Sequence, residues 1–518
     1  MGVVQRRGKA YIEHLRQSGL HILEVQDSNQ VLLNDDHLVA GSAGVEPCLV
    51  QPDKHPANPV VRPEHPWEGH LGYVAAMYDE EEQLFKMWYQ SRHQDDLPRT
   101  CYAVSADAIH WDKPELGLHE FDGSSANNIC YQSPAPPRGR GASNHVFKDY
   151  ADPDPQRLYK MVVDLIDFRG RGIALIHSPD GIHWSDPGYT VLQGGFDTQN
   201  VVLWDDQQGC FRAYLRWWQY GLRHIRMATS YDLYHWSKPI CILGPDEDDP
   251  ELFDLYTSGA VKYAAAPDVF IMQPAAFDHT TDRLWGELAL SRDGETWTRS
   301  REPCLALGGE DAWDRGSIYP APLAAPVGDR VYLLYRGEET GHGGSLRGPG
   351  IGLATLRRDG FVAWRAGPSG GTLRTHLLAY SHGGGDLPGR GRLRLNIRAD
   401  GGEARVELRD LDGKAIPGFA AADCDPVTAD SISHAVSWGG SPVLDRLHGL
   451  PFSMCVHLRD AELYSFCFRR RGGGTGELEQ QIAAREQQLK AVPPGAQREG
   501  LRTSMQEFVD GLRQAANK

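Results

Sequence analysis

The sequence predicts an all-β protein: a five-bladed β-propeller, then a β-sandwich, then a short C-terminal helical tail. Three observations lead there. A turn motif ending in tryptophan recurs along the middle of the chain, and each copy follows an alternating, strand-like segment. The motif stops near residue 366, where closely spaced strand patterns of another kind begin.

The motif reads SADAIHW (105–111), SPDGIHW (178–184), SYDLYHW (230–236) and SRDGETW (291–297), with a degenerate fifth copy, LRRDGFVAW, ending at Trp364. Successive tryptophans lie 73, 52, 61 and 67 residues apart, a length that suits a four-stranded blade with variable loops. Ahead of the copies, CYAVS, IALIHS, IRMATS and GELALS alternate like half-buried strands. The aspartate turns the chain by accepting bonds from nearby amides, and the tryptophan packs back over the strand. These residues are structural glue. A further strand pattern precedes each motif: FKMWYQS (85–91), RLYKMVVDL (157–165), CFRAYLRWW (210–218), DVFIMQP (268–274) and RVYLLYRG (330–337). Five units close a ring, so 55–366 reads as the catalytic propeller and 1–54 as an N-terminal segment.

After a GPSGG linker (367–371), strands such as LRTHLLAY, GRLRLNIRA and ELYSFCFRR make 367–471 a β-sandwich. From 472 to 518 the pattern turns helical, broken by Val492-Pro493-Pro494-Gly495. Leu478, Ile482 and Leu489, then Leu501, Met505, Phe508 and Leu512, give each half one apolar face. Two readings stay open for that face: packing on the body, or a homo-oligomer contact.

Composition bounds the partners. The 518 residues carry 53 Lys+Arg against 69 Asp+Glu, a net charge of −16. That balance argues against a dedicated nucleic-acid binder, which needs a basic surplus for phosphates. No run of 18 apolar residues suggests a membrane span, and Arg6, Arg7 and Lys9 interrupt any signal-like start. Nine scattered cysteines without a CxxC pair read as reduced thiols of a cytoplasmic protein, and no zinc pattern exists. The expected partner is a small-molecule carbohydrate. No cofactor is expected, although a structural calcium at the floor of the funnel stays open.

The segments NPVVRPEHPWE (58–68) and FKMWYQS, the DGxHW turns, the sandwich line RVELRDLDGKAIPGFAAADCDPV (405–427) and AELYSFCF (461–468) carry a family resemblance. The layout resembles glycoside hydrolases of families 32, 68 and 43, and is most similar to uncharacterised bacterial proteins of the family 32 type. The resemblance covers about 50–470 and implies a propeller-plus-sandwich fold with carboxylates in an axial funnel. Two family features are missing: a WMNDPNG-type nucleophile segment and a Glu-Cys acid/base pair, whose nearest approach is Asp423-Cys424. The turns also resemble sialidase Asp boxes, which carry one more residue between Asp and Gly.

Glycoside hydrolysis needs two carboxyl groups across the scissile bond, so acids near the start of each unit are the candidates. Glu68 stands beside Trp67, an aromatic able to stack on a sugar, where the family's nucleophile segment would fall. Asp149 falls where the family's Arg-Asp-Pro aspartate would. Asp197 and Asn200 stand at the mouth of an inner strand after Gly194-Gly195. Glu251 and Asp254 precede another inner strand, with Tyr256 beside them, and either suits a general acid. Asp314 and His342, the latter near Glu338-Glu339, suit ligands of sugar hydroxyls. Arg216 and Arg226 flank Trp217-Trp218 and could hold an anionic sugar or phosphate. The leading expectation is a glycosidase acting on furanosides or short oligosaccharides, with these acids converging around the axis. The rivals are a glycoside phosphorylase using Arg216, Arg226 or His224 to clamp phosphate, and a non-catalytic sugar-binding propeller. The glycine runs 383–385 and 472–474 lack a strand-to-helix context and carry no phosphate-loop weight.

Overall fold

The computed structural model describes residues 9–25, 30–93, 97–135, 139, 144–266, 268–323, 325–344, 347–380, 391–442, 444, 447 and 450–470. The expected helical tail at 472–518, its oligomer contact and both glycine runs lie outside the described residues. The protein is all-β and divides into two compact units. Among the described residues, Gln51–Leu356 form one, and 9–50 with 357–470 form the other. Among the described residues no helix is long and apolar enough to cross a membrane.

The 51–356 unit is the propeller. Three repeat units fold as discrete four-stranded antiparallel sheets, with their long strands at His70–Asp79, Leu84–Arg92 and Arg99–Ser105, then Tyr159–Asp167 and Gly170–Ser178, then Cys210–Gln219 and Leu222–Ser230. The next two units are not separate sheets. They share one eleven-stranded sheet, joined where Leu284 pairs in parallel with Ser317. Apolar clusters sit between successive sheets: Trp88 with Met161, Val162 with Phe211, Tyr214 with Phe253, and Phe277 with Tyr319. A further cluster joins Phe85 and Met87 of the first sheet to Leu334 and Leu353 of the last, so the ring closes on itself.

The tryptophan motifs act as expected in their four full copies. In SPDGIHW, Asp180 Oδ1 accepts from the amides of Ile182 and His183, both at 2.9 Å, while His183 Nδ1 meets Oδ2 at 2.7 Å. The same contacts recur at Asp107 and Asp232, and Asp293 repeats the two amide bonds. The turn requires a left-handed residue three places after the serine. Gly181 and Gly294 supply it without steric cost, whereas Ala108 (φ 62°) and Leu233 (φ 70°) are forced into it.

The degenerate fifth copy is different. Asp359 there accepts a bond from Ser465 Oγ at 2.7 Å, and Trp364 Nε1 donates to Leu33 O at 3.2 Å, so both belong to the other unit. The propeller therefore ends at 356 rather than 366. GPSGG is a turn within the sandwich, closed by Gly370 N to Gly367 O at 2.9 Å, and not an interdomain linker. Residues 9–50 likewise supply strands to the sandwich instead of standing apart. Ile22–Val25 runs parallel to Gly371–Tyr380, and Glu46–Leu49 pairs with Val362–Ala366. The sandwich's two sheets bury alternate residues, with Tyr380 stacked on Phe468 at 5.0 Å between ring centres.

Candidate active site

The strand ends of the propeller unit surround a cavity of about 910 Å³. Its first-sheet wall presents His70, Tyr73, Gln90 and Arg92; the opposite side presents Asp197 and Tyr256; the last sheet presents Tyr319, Arg336, Glu338 and His342. These positions follow from strand alternation. Arg336 and Glu338 are two residues apart and share a face, while Gly337 between them faces the other way. A Cβ at Gly337 would lie 2.7 Å from the Trp313 ring, so the small residue lets the strand seat against that indole.

Three expected residues reach the cavity with freedom to act. Asp197 keeps 53% of its side chain exposed and lies 3.3 Å from Arg171. Tyr256 lines the wall beside His342, ring centres 4.8 Å apart. His342 Nδ1 meets Tyr319 Oη at 2.7 Å. Burial, then Arg223, hold the His342 imidazole down at about 4, so it is neutral at physiological pH.

The other candidates are structural. Glu68 borders the cavity but is fully buried, and its oxygens are consumed by Tyr89 Oη, the Glu64 and His65 amides, and Lys113 Nζ at 3.0 Å. Trp67 stacks on His65 at 4.5 Å and donates to Asn128, leaving no open platform. Asp149 caps a turn through the amides of Ala151 and Asp152 and pairs with Lys160 at 3.2 Å. Glu251 is exposed and does not line the cavity. Asp254 is fully buried between Arg223 and His279 Nε2, the latter at 2.8 Å. Asn200 braces the bend before its strand, donating to Phe196 O and Thr198 O. Asp314 is held by Lys54 at 2.5 Å and by Tyr335 Oη at 3.0 Å.

The phosphate-clamp candidates also lie off the cavity wall. Arg216 donates to Gly195 O at 2.8 Å, Arg226 packs 4.1 Å over the Trp217 ring, and His224 Nδ1 faces Leu222 O. Glu68, Asp149, Asp254 and Asp314 are structural for one shared reason. Short carboxylates ahead of a strand find loose amides and nearby cations, and settle there.

Sequence reasoning named Glu338 only as a neighbour of His342 and gave it no role. It is 2% exposed and accepts from Arg336 Nη2 at 2.7 Å, while its Oε2 is buried without a hydrogen-bond partner among the described residues. Burial pushes its pKa above the ordinary carboxyl range, and Arg336 offsets this only in part. A sequence signal existed: in RVYLLYRGE the apolar alternation ends in two charged residues on one face.

A second raised carboxyl lies outside the cavity and has a stability consequence. Glu287 is 1% exposed, and burial lifts it to about 7 despite Arg299 at 3.3 Å, a contact without hydrogen-bond alignment. The folded state then keeps a proton that the unfolded chain releases, so stability falls as pH rises from about 4.5 to about 7. Glu287→Gln should raise the unfolding free energy at pH 8 by on the order of 2 kcal/mol and change little at pH 4. Thermal melts at the two pH values check this; equal gains at both would refute it.

Among the described residues no cluster of three or more His, Cys, Asp or Glu is placed to hold a metal ion. No family model and no curated protein matches the chain. Solved structures do align. One is described under the GH130 family of mannoside phosphorylases, containing glycoside hydrolases that target β-1,2 mannosidic linkages in Candida mannan; it is 15% identical, covers 60% of this chain and 94% of that one, and has a TM-score of 0.41. A thermostable family-43 glycoside hydrolase is 14% identical over 57% and 91%, TM-score 0.40. A glycosyl hydrolase from Bacteroides ovatus is 15% identical over 60% and 94%, TM-score 0.40. Likenesses at this level carry no argument about chemistry, which rests on the cavity itself.

Proposed function

We propose that the protein is a carbohydrate-active enzyme, a glycoside hydrolase acting on furanosides or short oligosaccharides, with Glu338 as general acid and Asp197 as the second carboxylate. The observation that carries this is the contrast between two carboxyls lining one cavity. Glu338 is desolvated and biased toward its protonated form; Asp197 is exposed and faces a guanidinium. A buried carboxyl biased toward its protonated form, together with an exposed carboxylate, is what acid-assisted bond cleavage requires. Tyr73, Tyr256 and Tyr319 add flat faces and hydroxyls suited to a sugar ring. The reading invokes no cofactor, and scattered cysteines without a CxxC pair favour a cytoplasmic setting.

The test is release of reducing sugar from a panel of aryl glycosides and oligosaccharides, with and without inorganic phosphate. Phosphate-independent release is expected. Turnover that requires phosphate would replace hydrolysis with phosphorolysis. Sugar binding with no turnover across the panel would leave a non-catalytic binder.

A further inference from the structure

The cavity wall where the first and last sheets meet presents two arginines, in a chain whose net charge is −16. His70 and Arg92 are cross-strand partners on the first sheet, and Tyr319 and Arg336 are cross-strand partners on the last. His70, Arg92 and Arg336 all line the cavity. We propose that this wall is an anion subsite that seats the carboxylate of an acidic sugar.

Arg336 carries the argument. It is 6% exposed and lies 4.5 Å over the Tyr319 ring, which fixes the guanidinium plane. Its Nη2 is given to Glu338, but its Nε is buried and meets no partner among the described residues. His70 Nδ1 is in the same condition. Arg336 and Arg92 line the same cavity, and an oxyanion is the ligand that best satisfies guanidinium groups presented together. The carboxylates lining the cavity are engaged elsewhere: Glu68 with Tyr89, Lys113 and two amides, Asp197 with Arg171, and Glu338 with Arg336 through one oxygen on its other nitrogen. Burial, Arg336 and Arg92 together hold His70 down at about 3. The imidazole is therefore neutral and contributes a directional contact rather than charge.

This deepens the hydrolase reading and rests on it for the sugar, while its test reads binding alone. Full-length protein is titrated calorimetrically with glucuronate, galacturonate, N-acetylneuraminate, glucose, galactose and inorganic phosphate. At least one acidic sugar should bind ten times or more tightly than the neutral sugars. Arg336→Gln and, as a half-buried site less tied to the core, Arg92→Gln should each weaken that binding at least tenfold, with melting temperatures confirming that the variants fold. Equal binding of neutral and acidic sugars would overturn the proposal, as would silence from all three acids. Phosphate binding without acidic-sugar binding would also overturn it, assigning the wall to free phosphate instead. Hydrolysis of neutral sugars without acid binding would sink this subsite alone, whereas acid binding without hydrolysis would sink the hydrolase reading alone.

Discussion

Glu338→Gln should lower turnover of glycosides with poor leaving groups by about a hundred- to ten-thousand-fold, the range that a positioned general acid supplies. The loss should shrink for dinitrophenyl glycosides, whose leaving group departs without protonation. That dependence on leaving group separates a lost proton donor from a distorted site, because distortion would slow both substrates alike. Glutamine keeps the oxygen that accepts from Arg336, so the variant should fold, with a fall in melting temperature as the buried pair loses its negative partner. The pH profile gives a second readout. Activity of the wild type should fall as pH rises through the Glu338 pKa, which burial places above the ordinary carboxyl range. His70 and His342 do not shape that limb, since they are neutral above about 3 and about 4. An unchanged leaving-group dependence in the variant would refute the assignment.

The sequence spoke most clearly where a local pattern and the fold demand the same thing. Asp107, Asp180, Asp232 and Asp293 all close their turns through the residues two and three places on, so spacing alone identifies their role. The fifth copy misled because DGFVAW keeps the letters while Trp364 finds its acceptor at Leu33, more than three hundred residues earlier. No local pattern carries that partner. Blade number has the same difficulty, since the sharing of one sheet by the last two units depends on a single parallel pair, Leu284 with Ser317.

Site residues were harder for a related reason. A candidate acid was sought at strand entries, where the chain approaches the axis. Entries are also where carboxylates meet unpaired amides, and Asp149 was taken up in that way. Asp254 was captured by Arg223, a residue on another strand, and burial between Arg223 and His279 then made it structural. The cavity is lined as well by the far ends of the second strands, Gln90 and Arg92 on one, Arg336 and Glu338 on the other. There an apolar alternation gives way to polar residues on the same face, a pattern visible in sequence once the strand direction is known.

Asp197→Asn should remove most turnover, by a hundredfold or more if it attacks the sugar or activates water, since neither role survives loss of the carboxylate. Folding should be almost unaffected. The side chain is 53% exposed, and its contact with Arg171 at 3.3 Å is of the solvent-screened kind that contributes little. Arg171 also keeps Asp164 at 2.7 Å, so it is not stranded. Two controls behave oppositely. Asp180→Asn weakens a turn, lowering the melting temperature while turnover per folded molecule persists. Asp254→Asn leaves Arg223 and His279 poorly met in a buried setting and should cost more stability than either of the others. Product stereochemistry then divides the two roles of Asp197: retention makes it the nucleophile, inversion the base for water. An Asp197→Asn protein with full turnover would remove the second carboxylate from the site, and with it the case for two-carboxylate hydrolysis.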